Sequence, residues 1–355
     1  MHFITRCLTT CTLMTLAACS TAGSPGPADA APQLTQEEQI SGTRALLIAV
    51  SVIDENVVWA SGASGTYVRT TNGGATWQAA KVPGADSLQF RDVHAVNANT
   101  AYLLSIGNGT DSRIYKTTDA GATWTKQFQN TDPAAFIDCM DFWTPERGIV
   151  IGDAINGQIY MLTTTNGGRT WDRVPPASLP AATPEEGSFA ASGTCVETAP
   201  GGHAWIVANN PTTARLLHTA DYGKTWSVDT LPITTRNGTG TMSIAMRNMR
   251  EGFALGGGTA QPTDELAALT NDGGKTWELR ARPPLARGIY GGAYVPGTRV
   301  STIVAVGPDG AVYTRDGART WTAINSNNYW SLGFASPRAG WLVGNAGRIT
   351  KISGF

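Results

Sequence analysis

Thr117–Trp124 reads TTDAGATW, and the phrase returns along the chain as TTNGGATW at Thr70–Trp77, TTNGGRTW at Thr164–Trp171, TADYGKTW at Thr219–Trp226, TNDGGKTW at Thr270–Trp277 and TRDGARTW at Thr314–Trp321. Successive tryptophans stand 47, 47, 55, 51 and 44 residues apart. A period of this size signals a repeat architecture of propeller-blade units. The phrase has a physical reading of its own. Its Asp or Asn side chain accepts hydrogen bonds from backbone amides just ahead and locks a tight turn. The Gly two positions later takes a positive φ without steric cost. The flanking Thr suits strands, and the Trp is an apolar wedge for neighbouring sheets whose N–H can reach a carbonyl. Asn72, Asp119, Asn166, Asp221, Asp272 and Asp316 therefore read as structural turn locks, since a catalytic or metal role does not call for six copies. The sixth copy carries Ala318 where Gly is expected, which predicts a slightly different turn.

With these residues in view, the phrase resembles the Asp-box, or BNR repeat, of sialidases, sortilin-type receptors and several glycoside hydrolases. The cadence GWLVGNAGRI at Gly340–Ile349 resembles the photosystem II stability/assembly factor family. That resemblance implies an all-β, seven-bladed β-propeller over about residues 43–355, and a non-enzymatic, chaperone-like role in maturing membrane complexes. Six complete repeats precede a seventh, which begins at Trp330 and stops without a box. The missing outer strand is expected from a segment near Leu34–Arg44, closing the ring of four-stranded antiparallel blades by strand exchange.

The N-terminus reads MHFITRCLTTCTLMTLAAC. Arg6 supplies a positive start, and the 12 residues Cys7–Ala18 are mostly apolar, too short a run to span a bilayer. Residues 1–18 are expected to be a signal peptide. Leu16–Cys19 resembles a bacterial lipobox, which implies lipidation at Cys19 and, with Ser20 following, a periplasmic protein anchored to the outer membrane. A soluble secreted protein is the competing reading. Residues 19–42 are small, polar and Pro-rich and read as a flexible tether.

Forty-one Gly and 15% charged residues suit many short strands and tight turns. Cys139 and Cys195 fall at the same place in the first strands of adjacent repeats; a disulfide and two buried free thiols both remain open. Four scattered histidines show no metal-ligand spacing, so no metal site is expected. No dinucleotide loop, CxxC or haem motif occurs, and no cofactor is expected. Residues 20–235 hold 12 Lys and Arg against 20 Asp and Glu, a net of −8, whereas residues 236–355 hold 13 against 7, a net of +6. In a ring, this places an acidic arc opposite a basic one, an asymmetry that bears on partners. Aromatic-basic interleaving is missing, so nucleic acid is not an expected partner.

Naming the strands of each repeat A to D from axis to rim, the boxes and A–B turns share one face, and the D–A and B–C connections share the other. The second face varies in length and is the expected functional one. It carries Arg236, Arg280, Arg282 and Arg287, with Phe90, Tyr290, Tyr329 and Trp330 at the channel mouth and the insertion Gly257–Glu265 beside them. Together they form a candidate patch for a protein or peptide partner of a monomeric propeller. The alternative is a glycoside hydrolase or glycan-binding propeller. The sialidase Arg-Ile-Pro string is absent, the nearest being Arg282-Pro283-Pro284. Asp138 and Asp141 are the candidate carboxylate pair, but three residues apart in a strand they face opposite ways.

Overall fold

The computed structural model describes residues 32–355. Its 28 β-strands form seven separate antiparallel sheets of four strands each, the blades of a seven-bladed β-propeller. The innermost A strands are Leu47–Val52, Gln89–Ala95, Ile137–Thr144, Val196–Ala199, Thr239–Met246, Gly291–Tyr294 and Tyr329–Ser336. In the first six blades the four strands follow one another in the chain. The seventh contains Tyr329–Ser336, Ala339–Gly344 and Ile349–Ser353, and its outermost strand is Thr35–Gln39, running antiparallel to Ile349–Ser353. Thr35–Gln39 lies inside the stretch read as a tether, which moves the start of the folded unit to Pro32. The lipobox, Cys19 and the signal peptide lie outside the described residues.

The boxes join the C and D strands. In the fifth, Thr270 Oγ1 donates to Asp272 Oδ1 (2.8 Å) and accepts from the Gly274 amide (2.9 Å). Asp272 also accepts from the amide and hydroxyl of Thr276, at 2.9 and 2.6 Å. The Thr276 hydroxyl and amide hold the Asp272 carboxylate down at about 2. Asn72 makes the same lock with its amide oxygen and donates Nδ2 to Thr76 Oγ1 at 2.9 Å. Each box places two consecutive residues at positive φ, and in the sixth these are Gly317 and Ala318 (φ 70° and 57°). The turn there is not altered. Ala318 N still donates to Thr314 Oγ1 (3.1 Å) and Thr320 N to Asp316 Oδ1 (3.0 Å). The lock's hydrogen bonds hold an alanine in the left-handed region, at a cost of about 1–2 kcal/mol.

Blades are stitched to one another through box carbonyls. Tyr67 Oη donates to Gly121 O, Tyr102 Oη and Lys116 Nζ both donate to Gly167 O, and Trp205 Nε1 donates to Gly273 O, at 2.8 to 2.9 Å. Each of these donors sits on one blade and its acceptor in the next blade's box. In the core between the blades a disulfide joins Cys139 to Cys195, tying the third blade to the entry of the fourth across 56 residues. Closing a loop of that size removes roughly 4 kcal/mol of unfolded-chain entropy.

The box chemistry yields a first prediction. Asp272→Asn is expected to keep the lock, as Asn72 and Asn166 do, whereas Asp272→Ala loses about 1 kcal/mol. The Asp272 pKa is depressed in the fold, so its contribution is present above the unfolded value and lost as pH falls toward 2. Denaturant titrations at pH 3 and pH 7 should therefore show the Ala variant's deficit shrinking in acid. In the sixth box, Ala318→Gly is expected to stabilise the fold by up to about 1 kcal/mol, the relieved strain outweighing the added chain entropy. A loss of stability there would contradict the strained reading.

Candidate functional site

The axial channel is blind. Residues 187–194, the end of the long connection from the third blade to the fourth, run across it as a strap. Gly187 pairs with Asn209, and Ser188 Oγ donates to Val207 O at 2.7 Å. Farther along, Ala190 O accepts Arg91 Nη1 at 3.0 Å from the second blade. Ser192 Oγ donates to Tyr290 O (2.6 Å) at the sixth blade, and Ser192 O accepts Ser331 Oγ (3.1 Å) from the seventh. Thr194 O accepts the Ile244 amide of the fifth blade at 2.9 Å. Gly193 packs so tightly on Asp92 that a Cβ would stand 2.4 Å from its Oδ1. With the Ser188 amide on Asp138 and Asp153 of the third blade, one segment thus binds six blades and closes the channel toward the face of the D–A connections.

On the outer side of the strap lies an aromatic centre. The rings of Tyr290 and Trp330 meet edge to face at 4.8 Å, and the Arg91 guanidinium lies over Trp330 at 5.4 Å. Four arginines singled out by the sequence occupy this face, but each is already engaged. Arg236 pairs with the buried Asp264, Arg280 with Glu278, and Arg287 with Asp309 at 3.1 Å. Arg282 donates to the carbonyls of Gln261, Leu285 and Ala286. Gln261 and Asp264 belong to the Gly257–Glu265 insertion, which holds the arginine group in place. Arg287 keeps 69% of its side chain exposed and Arg280 only 10%. Two expected members are not on the surface at all. Phe90 and Tyr329 are wholly buried, and Tyr329 Oη bonds Thr350 Oγ1 at 2.8 Å inside the seventh blade. The sequence could not signal Arg91 or the strap, because the connection that forms it carries no repeat.

The remaining carboxylates sort by partner. Asp138 sits at a bulge between Ile137 and Cys139. It is 1% exposed, with Oδ2 lacking a hydrogen-bond partner. Burial, and then the charge of Asp153, push its pKa well up; burial raises Asp153 to about 6. The Ser188 amide of the strap acts on both groups. Asp141 engages a different set. It accepts the Thr198 and Phe142 amides at 2.8 Å each and stands 3.0 Å from His94 Nδ1. The pair weighed for hydrolysis is therefore divided between the strap and the channel wall. The channel encloses about 650 Å3 and opens on the box face, with Asp92 near its closed end and His94, Asp141, Glu197 and Arg247 in its wall. No group of three or more His, Cys, Asp or Glu side chains among the described residues could hold a metal ion.

With this geometry established, comparison with known proteins places the fold. No protein-family model matches the chain, and no curated protein matches it. YCF48 from Cyanidioschyzon merolae superposes with a TM-score of 0.66 at 15% identity, over 90% of this chain and 98% of that one. The fold is that of a YCF48-like propeller. The GH74 xyloglucanase from Xanthomonas campestris matches with a TM-score of 0.58 at 14% identity, over 89% of this chain, which spans about half (53%) of the enzyme's length. A structure of YCF48 bound to D1 peptide matches with a TM-score of 0.43 at 17% identity, over 92% of this chain and 98% of that one. At these identities the likeness is one of fold.

The acid pair beneath the strap gives a pH prediction. Both pKa values are raised in the fold, so their contribution is present below the unfolded carboxylate value and lost as pH rises through about 6 for Asp153. Asp153→Asn is expected to flatten the fall in stability between pH 4 and pH 8. Equal slopes for variant and wild type in urea titrations would show that the pair does not stay protonated.

Proposed function

We propose that this chain is a non-enzymatic envelope lipoprotein whose propeller docks a protein or peptide segment and serves as a scaffold or assembly factor for membrane or periplasmic complexes. The observation that carries this reading is the strap. By closing the channel it turns the D–A face into a continuous floor, with Tyr290, Trp330 and Arg91 clustered at its centre and the exposed Arg287 held by Asp309. Aromatic and Arg anchors surrounded by a polar rim are the usual energetic centre of a protein interface. The pairing of Arg236, Arg280 and Arg287 with carboxylates makes the rim zwitterionic, which favours orientation and specificity over bulk electrostatic attraction. The fold shared with YCF48 supports the assembly-factor form of the proposal, and the lipobox-like Leu16–Cys19 supports the anchor.

Affinity capture from membranes of the source cell, using the full chain, tests the docking face. Trp330→Ala and Arg287→Glu are expected to lower recovery of the partners about tenfold or more, while Lys224→Glu in a box on the opposite face leaves it unchanged. Melting curves confirm that all three fold. Recovery of the same partners at the same yield by the first two variants would exclude this face. Separately, Cys19→Ser is expected to move the protein from the membrane fraction to the soluble one; unchanged fractionation would exclude the anchor.

A further inference from the structure

The strap that blinds the channel has little of its own to hold it in place. Residues 187–194 read GSFAASGT, seven of the eight being Gly, Ser, Ala or Thr, and none of them belongs to a strand. Phe189, the one large apolar side chain, is only half-buried, so the segment gains little from apolar burial. Its two glycines lose more backbone freedom on seating than other residues would. What opposes that loss is a set of single hydrogen bonds to different blades, each of modest net worth because the unseated segment bonds to water instead. The end of the strap, by contrast, is fixed covalently. Cys195 directly follows it and is joined to Cys139, with both residues wholly buried and their Cα atoms 6.0 Å apart. Cys139 is flanked by Asp138, on which the Ser188 amide acts, and by Met140, whose amide donates at 2.7 Å to Asp92 Oδ2, the carboxyl against which Gly193 packs. The disulfide therefore pins the strap's end to the strand that holds Asp138 beneath it.

We propose that the Cys139–Cys195 disulfide is a latch, and that the strap seats and blinds the channel only once these two cysteines are oxidised. In the reduced chain the blades form, but residues 187–194 open and close locally and the channel is closed at neither end. Latching is thiol–disulfide exchange with an external disulfide, R–S–S–R. One cysteine thiolate attacks a sulfur of R–S–S–R, forming a mixed disulfide and releasing R–S⁻. The second thiolate then attacks the protein sulfur of that mixed disulfide and expels the other R–S⁻. The cysteine pair gives up two electrons and two protons, and the external disulfide takes them up as two R–SH. Both sulfurs are out of reach once the strap is seated, so the exchange takes place while it is unseated, and the closed latch is then shielded from thiols. The device is thus a one-way assembly step. On the reading of the D–A face as a docking floor, that floor is completed only where disulfides form; the latch itself stands without that reading.

Hydrogen–deuterium exchange on the full chain tests the latch, with the Cys139→Ala/Cys195→Ala double variant beside the wild type. Amides of residues 187–195 are expected to exchange about tenfold faster or more in the variant, while those of Leu103–Leu104 and Val304–Val306, in distant blades, stay as protected as in the wild type. Elastase, which cuts after small residues, is expected to cleave after Ala190 or Ala191 in the variant alone. Equal protection of the strap in both proteins would overturn the proposal. An equal loss of protection throughout the ring would overturn it too, since the disulfide is then a general staple. Should the variant fail to fold, wild type refolded from urea in a phosphine reductant, then moved into oxidised glutathione, decides the matter. Strap protection that appears only on oxidation, over blades already protected, supports the latch. Strap protection present before oxidation, or blades that fold only after it, overturns it. No partner takes part in these measurements, so their outcome is separate from that of the docking face.

Discussion

The ring depends on one joint. Six blades complete themselves from consecutive residues, but the seventh is finished by Thr35–Gln39, a strand from the opposite end of the described chain. Gln39 concentrates the joint in a single amide. Its Oε1 accepts Trp77 Nε1 of the first blade (2.9 Å) and Trp341 Nε1 of the seventh (3.2 Å), while its Nε2 donates to Gly73 O in the first box at 3.3 Å. Lys351 Nζ adds a bond to the same carbonyl at 2.9 Å. Without this strand the outer edge of Ile349–Ser353 would be unpaired, and the seventh blade would lose the Gln39 bridge and keep only bonds such as Lys351 to Gly73 and Ser336 to Glu55 with the first. Closure makes every other inter-blade contact mutually supporting, because no blade can then turn without straining the rest.

The boxes and the stitches act together on one face. A box locks its own turn through Asp or Asn, which leaves its glycine carbonyls directed outward at fixed positions. The neighbouring blade reads those carbonyls with Tyr67, Tyr102, Lys116, Trp205 or Lys351. His218 stands in the fourth blade where Arg69, Lys116 and Lys351 stand in theirs, stacked on Trp205 at 5.0 Å as Arg69 lies over Trp59. The box face is thus committed to holding the ring together, which leaves the D–A face free to vary. The long connection between the third and fourth blades uses that freedom to cross the axis.

How much of this could be read from the sequence follows the periodicity. Blade number, strand order, the turn locks and the face assignment were legible because each is repeated, and a repeated residue has a repeated environment. Tyr329 and Phe90 were misplaced for a related reason: at the start of an A strand an aromatic side chain can turn to the mouth or into the adjacent blade, and the pattern does not distinguish them. The arginines were found on the expected face, but their carboxylate partners, such as Asp264 and Asp309, lie 28 and 22 residues away in loops without any period. Pairing across non-repeated loops, and the strap itself, are set by tertiary packing alone. Ala318 illustrates the reverse case, where local chemistry suggested a different turn and the hydrogen bonds of the lock overrode it.

The strap also determines what the two ends of the channel can do to each other. Nothing passes from one face to the other, so communication between them must run through the strap's own contacts. Those contacts are unusually acidic: Asp92 against Gly193 on the channel side, and Asp138 with Asp153 against Ser188 beneath the docking floor. Burial raises the pKa of each, and a neutral carboxyl can lie against a glycine or a backbone amide without bringing an unpaired charge into the core. Ionised together, Asp138 and Asp153 of the third blade would repel each other beneath the strap. The strap's acidic contacts thus tie the docking floor to pH, because the stabilisation from Asp153 is lost as pH rises through about 6.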